Sequence, residues 1–187
     1  MTDSLRRAAE GFRTLVGTVR TDQWALLTPC DGWTVRHLVG HVASGSQMVA
    51  LLADGGTRDD AIALLGRDQL GDDPVGAIER ALSRQEQAFE RPDVATRVFH
   101  HPAGDMPGAQ VLRFRIGDLL VHQWDLARTI GVDETLDPVL VEEVWDAITP
   151  MIPMMAASGV FGAGPSGTVG VDAPLQVRLL DAMGRRP

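Results

Sequence analysis

Asp118-Leu-Leu-Val-His122-Gln-Trp-Asp125-Leu-Ala127 lies inside an unbroken helical pattern that opens at the Met106-Pro-Gly108 turn and closes at Gly131, a glycine placed as a C-cap. A helix this long, rich in Leu, Val and Ile, sets the expectation of a helical fold. The same stretch carries chemistry, because Asp118 and His122 stand four residues apart and share one face one turn from each other. A carboxylate and an imidazole so placed can hold a divalent metal, and zinc, nickel and iron all accept that mixture. Two ligands do not complete a site. The third candidate is His41, at the end of Trp33-Thr-Val-Arg-His37-Leu-Val-Gly-His41, itself a helical stretch.

Working outward, further helices are separated by Gly, Pro and Asp. Leu5, Ala8, Ala9, Phe12, Leu15, Val16 and Val19 follow the helical period over about Ser4 to Arg20, and the charges between them make this the first helix of the fold rather than a targeting segment. Thr28-Pro-Cys-Asp-Gly-Trp33 turns the chain into a second helix, N-capped by Thr34 and running to Ala53. Ala61–Leu65 reads as a short helix. Asp73-Pro74 caps the next long one, which ends near Glu90 and buries Ile78, Leu82 and Phe89. Thr96-Arg-Val-Phe-His-His101 reads as extended. After the Asp118 helix, Asp137-Pro138 opens another, with Val141, Val144, Trp145 and Ile148 on one face, which Pro150 and Pro153 kink or end. Residues 159–171 are Gly/Ser/Pro-rich and read as a mobile connection to a last short helix carrying Leu175, Leu179, Leu180 and Met183. Four long helices with one longer crossover predict an all-α four-helix bundle, a scaffold that builds metal sites from facing helices. Residues 1–187 read as a single domain, with 159–187 an irregular C-terminal extension packing on it.

Composition agrees and excludes several classes. A chain of 187 residues, 44% hydrophobic, suffices for one buried core. With 17 basic against 25 acidic residues the net charge is −8, and no Lys/Arg cluster could follow a phosphate backbone, so neither nucleic acid nor an anionic membrane is expected as a partner. The single cysteine, Cys30, excludes an internal disulfide framework and fits a reducing, cytoplasmic location. No apolar run approaches a bilayer span.

Each candidate also has a plainer reading. His122 shares its face with Arg115, Asp118, Asp125 and Thr129, the pattern of a solvated face with local ion pairs. Leu38, Gly45, Met48 and Leu52 lie on the side of His41, so that ring points inward, as a core hydrogen-bonding group or as a ligand. His37, one turn earlier, is a second donor or a first-turn surface residue. Asp125 either orients an imidazole or pairs with Arg128. His100 and His101 alternate along the extended piece and are treated as loop residues. Cys30 reads as a packed thiol, and Trp33 and Trp124 as core fillers.

Thr28-Pro-Cys-Asp-Gly-Trp-Thr-Val-Arg-His-Leu-Val-Gly-His41 together with Gly117-Asp-Leu-Leu-Val-His-Gln-Trp-Asp-Leu-Ala-Arg128 resembles actinobacterial metal-binding proteins related to the N-terminal domain of mycothiol-dependent maleylpyruvate isomerase, within the DinB-like group of four-helix bundles. The resemblance continues through Gly71-Asp-Asp-Pro74, Gly104-Asp-Met-Pro-Gly108 and Arg178-Leu-Leu-Asp-Ala-Met-Gly-Arg-Arg186, covering nearly the whole chain. It implies a DinB-like bundle with His41, Asp118 and His122 as metal ligands, zinc first and nickel or iron as alternatives. Three protein ligands leave positions open for water or substrate. The implied chemistry is a transferase or isomerase-like reaction of a low-molecular-weight thiol, such as mycothiol, with a small electrophile. The chain departs from the isomerase where Asp118 replaces a glutamate and where His37 replaces an aspartate common in relatives. Nor do the residues after Ser158 resemble the isomerase's C-terminal domain. The alternative class is a non-catalytic metal-binding protein in a stress or structural role, and a metal-free bundle acting as a homodimer is a third reading.

Overall fold

The computed structural model describes residues 2–65, 67–154 and 164–187. Helices α1 (Thr2–Val16), α2 (Val35–Ala53), α4 (Pro74–Glu90) and α5 (Gly108–Ile130) form the bundle. Short α3 (Arg58–Leu65) and a hairpin of β1 (Val98–His101) and β2 (Gly104–Pro107) connect them, and α6 (Pro138–Ile148) and α7 (Leu175–Ala182) pack on each other beside α5. Helices α1 and α2 each pack on both α4 and α5, so the circuit around the bundle is α1–α4–α2–α5 and the first two helices stand diagonally across it. Residues 17–34 therefore cross from one corner to the opposite one. That crossing carries Cys30 and Trp33 to the α2–α5 side.

Local chemistry explains where the helices begin and stop. The Thr34 hydroxyl accepts from the His37 backbone N–H at 3.3 Å and the His37 ring accepts from the Thr34 N–H at 3.4 Å, a capping box with imidazole in the usual place of a carboxylate or amide. His37 is exposed and belongs to this cap, so the surface reading of that residue holds. Asp73 caps α4 through the Gly76 N–H, with Pro74 in the first turn, and Asp137 caps α6 through Val139 and Leu140. Gly131 ends α5 in the left-handed conformation, φ 73°.

Three expectations are revised. The first helix stops at Val16, where Gly17 breaks the run, although Val19 still packs on the core. The short third helix starts earlier than its apolar residues suggest, at Arg58, because Thr57 and Asp60 cap each other reciprocally. Finally, Met106 and Pro107, expected in a Met106-Pro-Gly108 turn, end a strand over Gly104–Pro107 that pairs antiparallel with β1, so that His101 faces Gly104 and the loop is Pro102-Ala103. Phe99 and Met106 face each other and are buried, and this one apolar pair gives the hairpin its inner face. Of the Gly/Ser/Pro-rich stretch, residues 159–163 lie outside the described residues. Among the described residues, no helix is long and apolar enough to cross a membrane.

Candidate functional site

His41 comes from α2; Arg115, Asp118, His122 and Asp125 come from one face of α5. That face is not solvated. Arg115, His122 and Asp125 are all buried, because α5 is enclosed by α1, α2 and α6 and its polar stripe faces inward. The structure brings the three predicted residues together. Asp118 Oδ1 lies 3.2 Å from His41 Nε2 and 3.4 Å from His122 Nε2, and one donor atom from each residue falls within 4.8 Å of the others. Tetrahedral coordination with bonds of about 2.0–2.1 Å places neighbouring donors roughly 3.4 Å apart. Those two separations match that edge, and the donor set is chemically suited to zinc, so the residues present fit a divalent ion. The trio is closed on the His122 side, with 9% of that side chain exposed, and open at His41, with 40%.

On one flank, Arg115 holds Asp118. Its guanidinium donates to Asp118 Oδ2 at 2.7 Å, to Gln85 Oε1 at 2.9 Å, to Ser46 Oγ at 3.1 Å and to the Val42 carbonyl at 3.2 Å. Oδ1 is thereby left facing the two histidines. On the other flank, His122 Nδ1 lies 2.9 Å from Asp125 Oδ2. Asp125 is fully buried and is paired not with Arg128, which reaches Glu134, but with Arg185 from beyond α7, at 3.0 Å (Nε–Oδ1) and 2.6 Å (Nη2–Oδ2). Cys30 completes this flank, donating to Asp125 Oδ2 at 3.2 Å and accepting from Arg185 Nη2 at 3.3 Å. The thiol expected to be merely packed is thus part of a polar cluster. Trp33, expected in the core, is half-buried and covers the histidines, its ring centroid 4.8 Å from His41 and 5.9 Å from His122. Trp124 does fill the core.

His122 therefore belongs to two donor sets, with His41 and Asp118 through Nε2 and with Cys30 and Asp125 through Nδ1. Each carboxylate carries a guanidinium, but Arg185 takes both oxygens of Asp125 whereas Arg115 takes only Oδ2 of Asp118. The first set is the one left with a carboxylate oxygen and two imidazoles converging on a common point. Charge alternates along the row Arg115, Asp118, His122, Asp125, Arg185. Burial opposes ionisation of Asp118, but Arg115, His122 and His41 outweigh it and hold its carboxyl well below the usual range. Burial likewise opposes charge on His122, yet Asp118, with hydrogen bonds to Asp118, Asp125 and Cys30, raises its pKa well above the usual histidine value. Against the same opposition of burial, His122 and Arg185 hold Asp125 low.

His100 and His101 stay outside this cluster: His100 pairs with Asp105 and His101 accepts from the Ala103 N–H. Arg185, Gln85 and Ser46 carry no local signal that would place them in it. Cys30 and Arg185 do both lie within stretches that the family resemblance covers.

The family described as the mycothiol maleylpyruvate isomerase N-terminal domain matches residues 5–127. The chain belongs to that family. The matched span contains every member of the row except Arg185. An uncharacterized protein of Mycobacterium tuberculosis, found in two strains, is 33% identical over 138 residues, covering 74% of this chain and 71% of that one. Two crystal structures share the fold, the mycothiol-dependent maleylpyruvate isomerase and a point mutant of it, with TM-scores of 0.61 and 0.64 at 18% identity. Each alignment covers 88% of this chain and 72% of the isomerase. The chain thus shares this DinB-like helical bundle with the isomerase at low identity.

Proposed function

We propose that His41, Asp118 and His122 hold a divalent metal, zinc in the first place and nickel or iron as chemically admissible alternatives, and that the site acts on a low-molecular-weight thiol such as mycothiol. The convergence of Asp118 Oδ1 and the two Nε2 atoms carries this reading. When bound, the ion would supply a Lewis acid that keeps a thiol in its nucleophilic thiolate form at neutral pH. The protein's own residues prepare the place. Arg115 keeps Asp118 ionised and turned toward the histidines. Asp125 holds the Nδ1 proton of His122 so that Nε2 is presented as a lone pair. Trp33 packs against His41, ring centroids 4.8 Å apart, while the His41 side chain keeps 40% of its surface exposed. The reaction is addition or transfer: the thiol loses its proton, its sulfur forms a bond to an electrophilic carbon, and the proton returns to the product. In an isomerisation, the same carbon–sulfur bond breaks again after rotation. Family membership and the shared fold support a thiol cosubstrate, and the open His41 side favours turnover over a closed structural ion.

Elemental analysis of untagged protein beside H41A and H122A tests the site. Near-stoichiometric metal in the wild type, lost in both variants, is the expected result. A wild type that is empty and refuses added zinc and nickel sinks the proposal.

A further inference from the structure

We propose that Arg185 is a positioning residue for His122, acting through Asp125, so that the segment following α7 sets how tightly the His41–Asp118–His122 trio holds its ion. This rests on the metal reading above and adds to it a residue outside the matched family span.

Helix termination delivers the side chain. Gly184, at φ 78°, reverses the chain after α7, its N–H donating to the Asp181 carbonyl at 3.0 Å and the Arg185 N–H donating to the Leu180 carbonyl at 2.8 Å. These two bonds make a Schellman motif. Leu179 and Leu180, fully buried, anchor the helix so that Arg185 leaves it at a fixed point. Its Nη1 bonds the Met183 carbonyl at 2.8 Å, while Nε and Nη2 fork onto the two oxygens of Asp125.

The fork fixes the plane of the carboxylate. Asp125 Oδ2 then meets three groups at once: Arg185 Nη2, His122 Nδ1 and the Cys30 thiol. Without Arg185, a fully buried carboxylate would keep only His122 and Cys30 as side-chain partners and could rotate about χ2 toward either. The His122 ring would lose its fixed hydrogen-bond direction and, with it, the aim of Nε2 at Asp118. A planar, two-pronged donor is needed here, and lysine offers only a point charge.

Zinc affinity of wild type, R185K, R185A and H41A, measured by competition with a chromophoric chelator, tests the inference, together with the visible spectrum of the cobalt-loaded proteins. Loss of a group that orients a histidine ligand weakens metal binding by about 10–100-fold. R185A should weaken zinc by that factor and alter the cobalt bands, R185K should fall between R185A and wild type, and H41A should lose the metal. Melting of the chelated proteins separates a structural role: an arginine that only stabilises the fold lowers the metal-free transition and leaves zinc affinity and the cobalt spectrum unchanged, which overturns the inference. Should R185A not fold, R185K decides, and wild-type affinity in it is equally fatal. A wild type that binds no zinc overturns the metal reading and this inference together, whereas zinc held equally by wild type and R185A overturns this inference alone.

Discussion

At the scale of single residues, the buried row from Arg115 to Arg185 ties protonation to both stability and metal uptake. In the metal-free protein, His122 has its pKa raised above 6.5, so its contribution to stability is complete below 6.5 and is lost as pH rises through the raised value. Asp118 and Asp125 are held below 3.8, so their contributions are present above 3.8 and are lost only as pH falls through the lowered values. The cluster is therefore most stabilising between those limits. Denaturant unfolding of chelated protein, repeated in steps from pH 5 to 9, should show stability declining above about 6.5, and H122Q should lack that decline. Metal uptake runs the other way, since the ion must displace the His122 proton. Zinc binding at neutral pH should release protons and weaken as pH falls, which calorimetry in buffers of different ionisation enthalpy reads directly. Gly45 belongs to the same scale: a Cβ there would stand 2.3 Å from Arg115 Nη1. G45A should push the guanidinium off Asp118, costing about 1–3 kcal/mol of stability in denaturant titration and reducing zinc affinity.

At the scale of elements, the hairpin and the start of α5 depend on one close approach. Gly108 donates its N–H to the Arg97 carbonyl at 2.8 Å, and an added Cβ would meet the Val94 carbonyl oxygen at 2.0 Å. Neither backbone has a side chain that can yield, so G108A should destabilise by about 3 kcal/mol, seen as an earlier urea midpoint. The Thr34 cap is a milder case: T34A removes the acceptor for the His37 N–H and should cost about 1 kcal/mol. These caps are local, and Thr34, Asp73-Pro74 and Asp137-Pro138 are legible in sequence because their partners lie within a few residues. Termini set by longer reach are not. The strand at Gly104–Pro107 contains no β-branched residue and forms only because β1 is there to pair with it.

At the scale of the molecule, the core spans all four bundle helices, from Leu5 and Phe12 through Leu38, Ile78 and Leu82 to Leu119 and Trp124. A core so continuous does not need an ion to hold it. Chelation should leave the helical circular dichroism intact and lower the unfolding free energy only by the linkage term, about 2.7 kcal/mol at a free metal concentration a hundred times Kd. Complete unfolding on chelation would instead favour the structural-ion alternative. What the sequence determined by itself was whatever depends on neighbours along the chain: the helical period, the caps, and the one-turn spacing of Asp118 and His122. Only the tertiary structure decided the rest. The face bearing Arg115, His122 and Asp125 has the pattern of a solvated surface, and it is buried because the α1–α4–α2–α5 circuit encloses α5. His41 reaches Asp118 across 77 positions and Arg185 reaches Asp125 across 60. A charge pattern on one helix does not state which other segment supplies its partners, because burial and long-range pairing are properties of the packed chain rather than of any stretch within it.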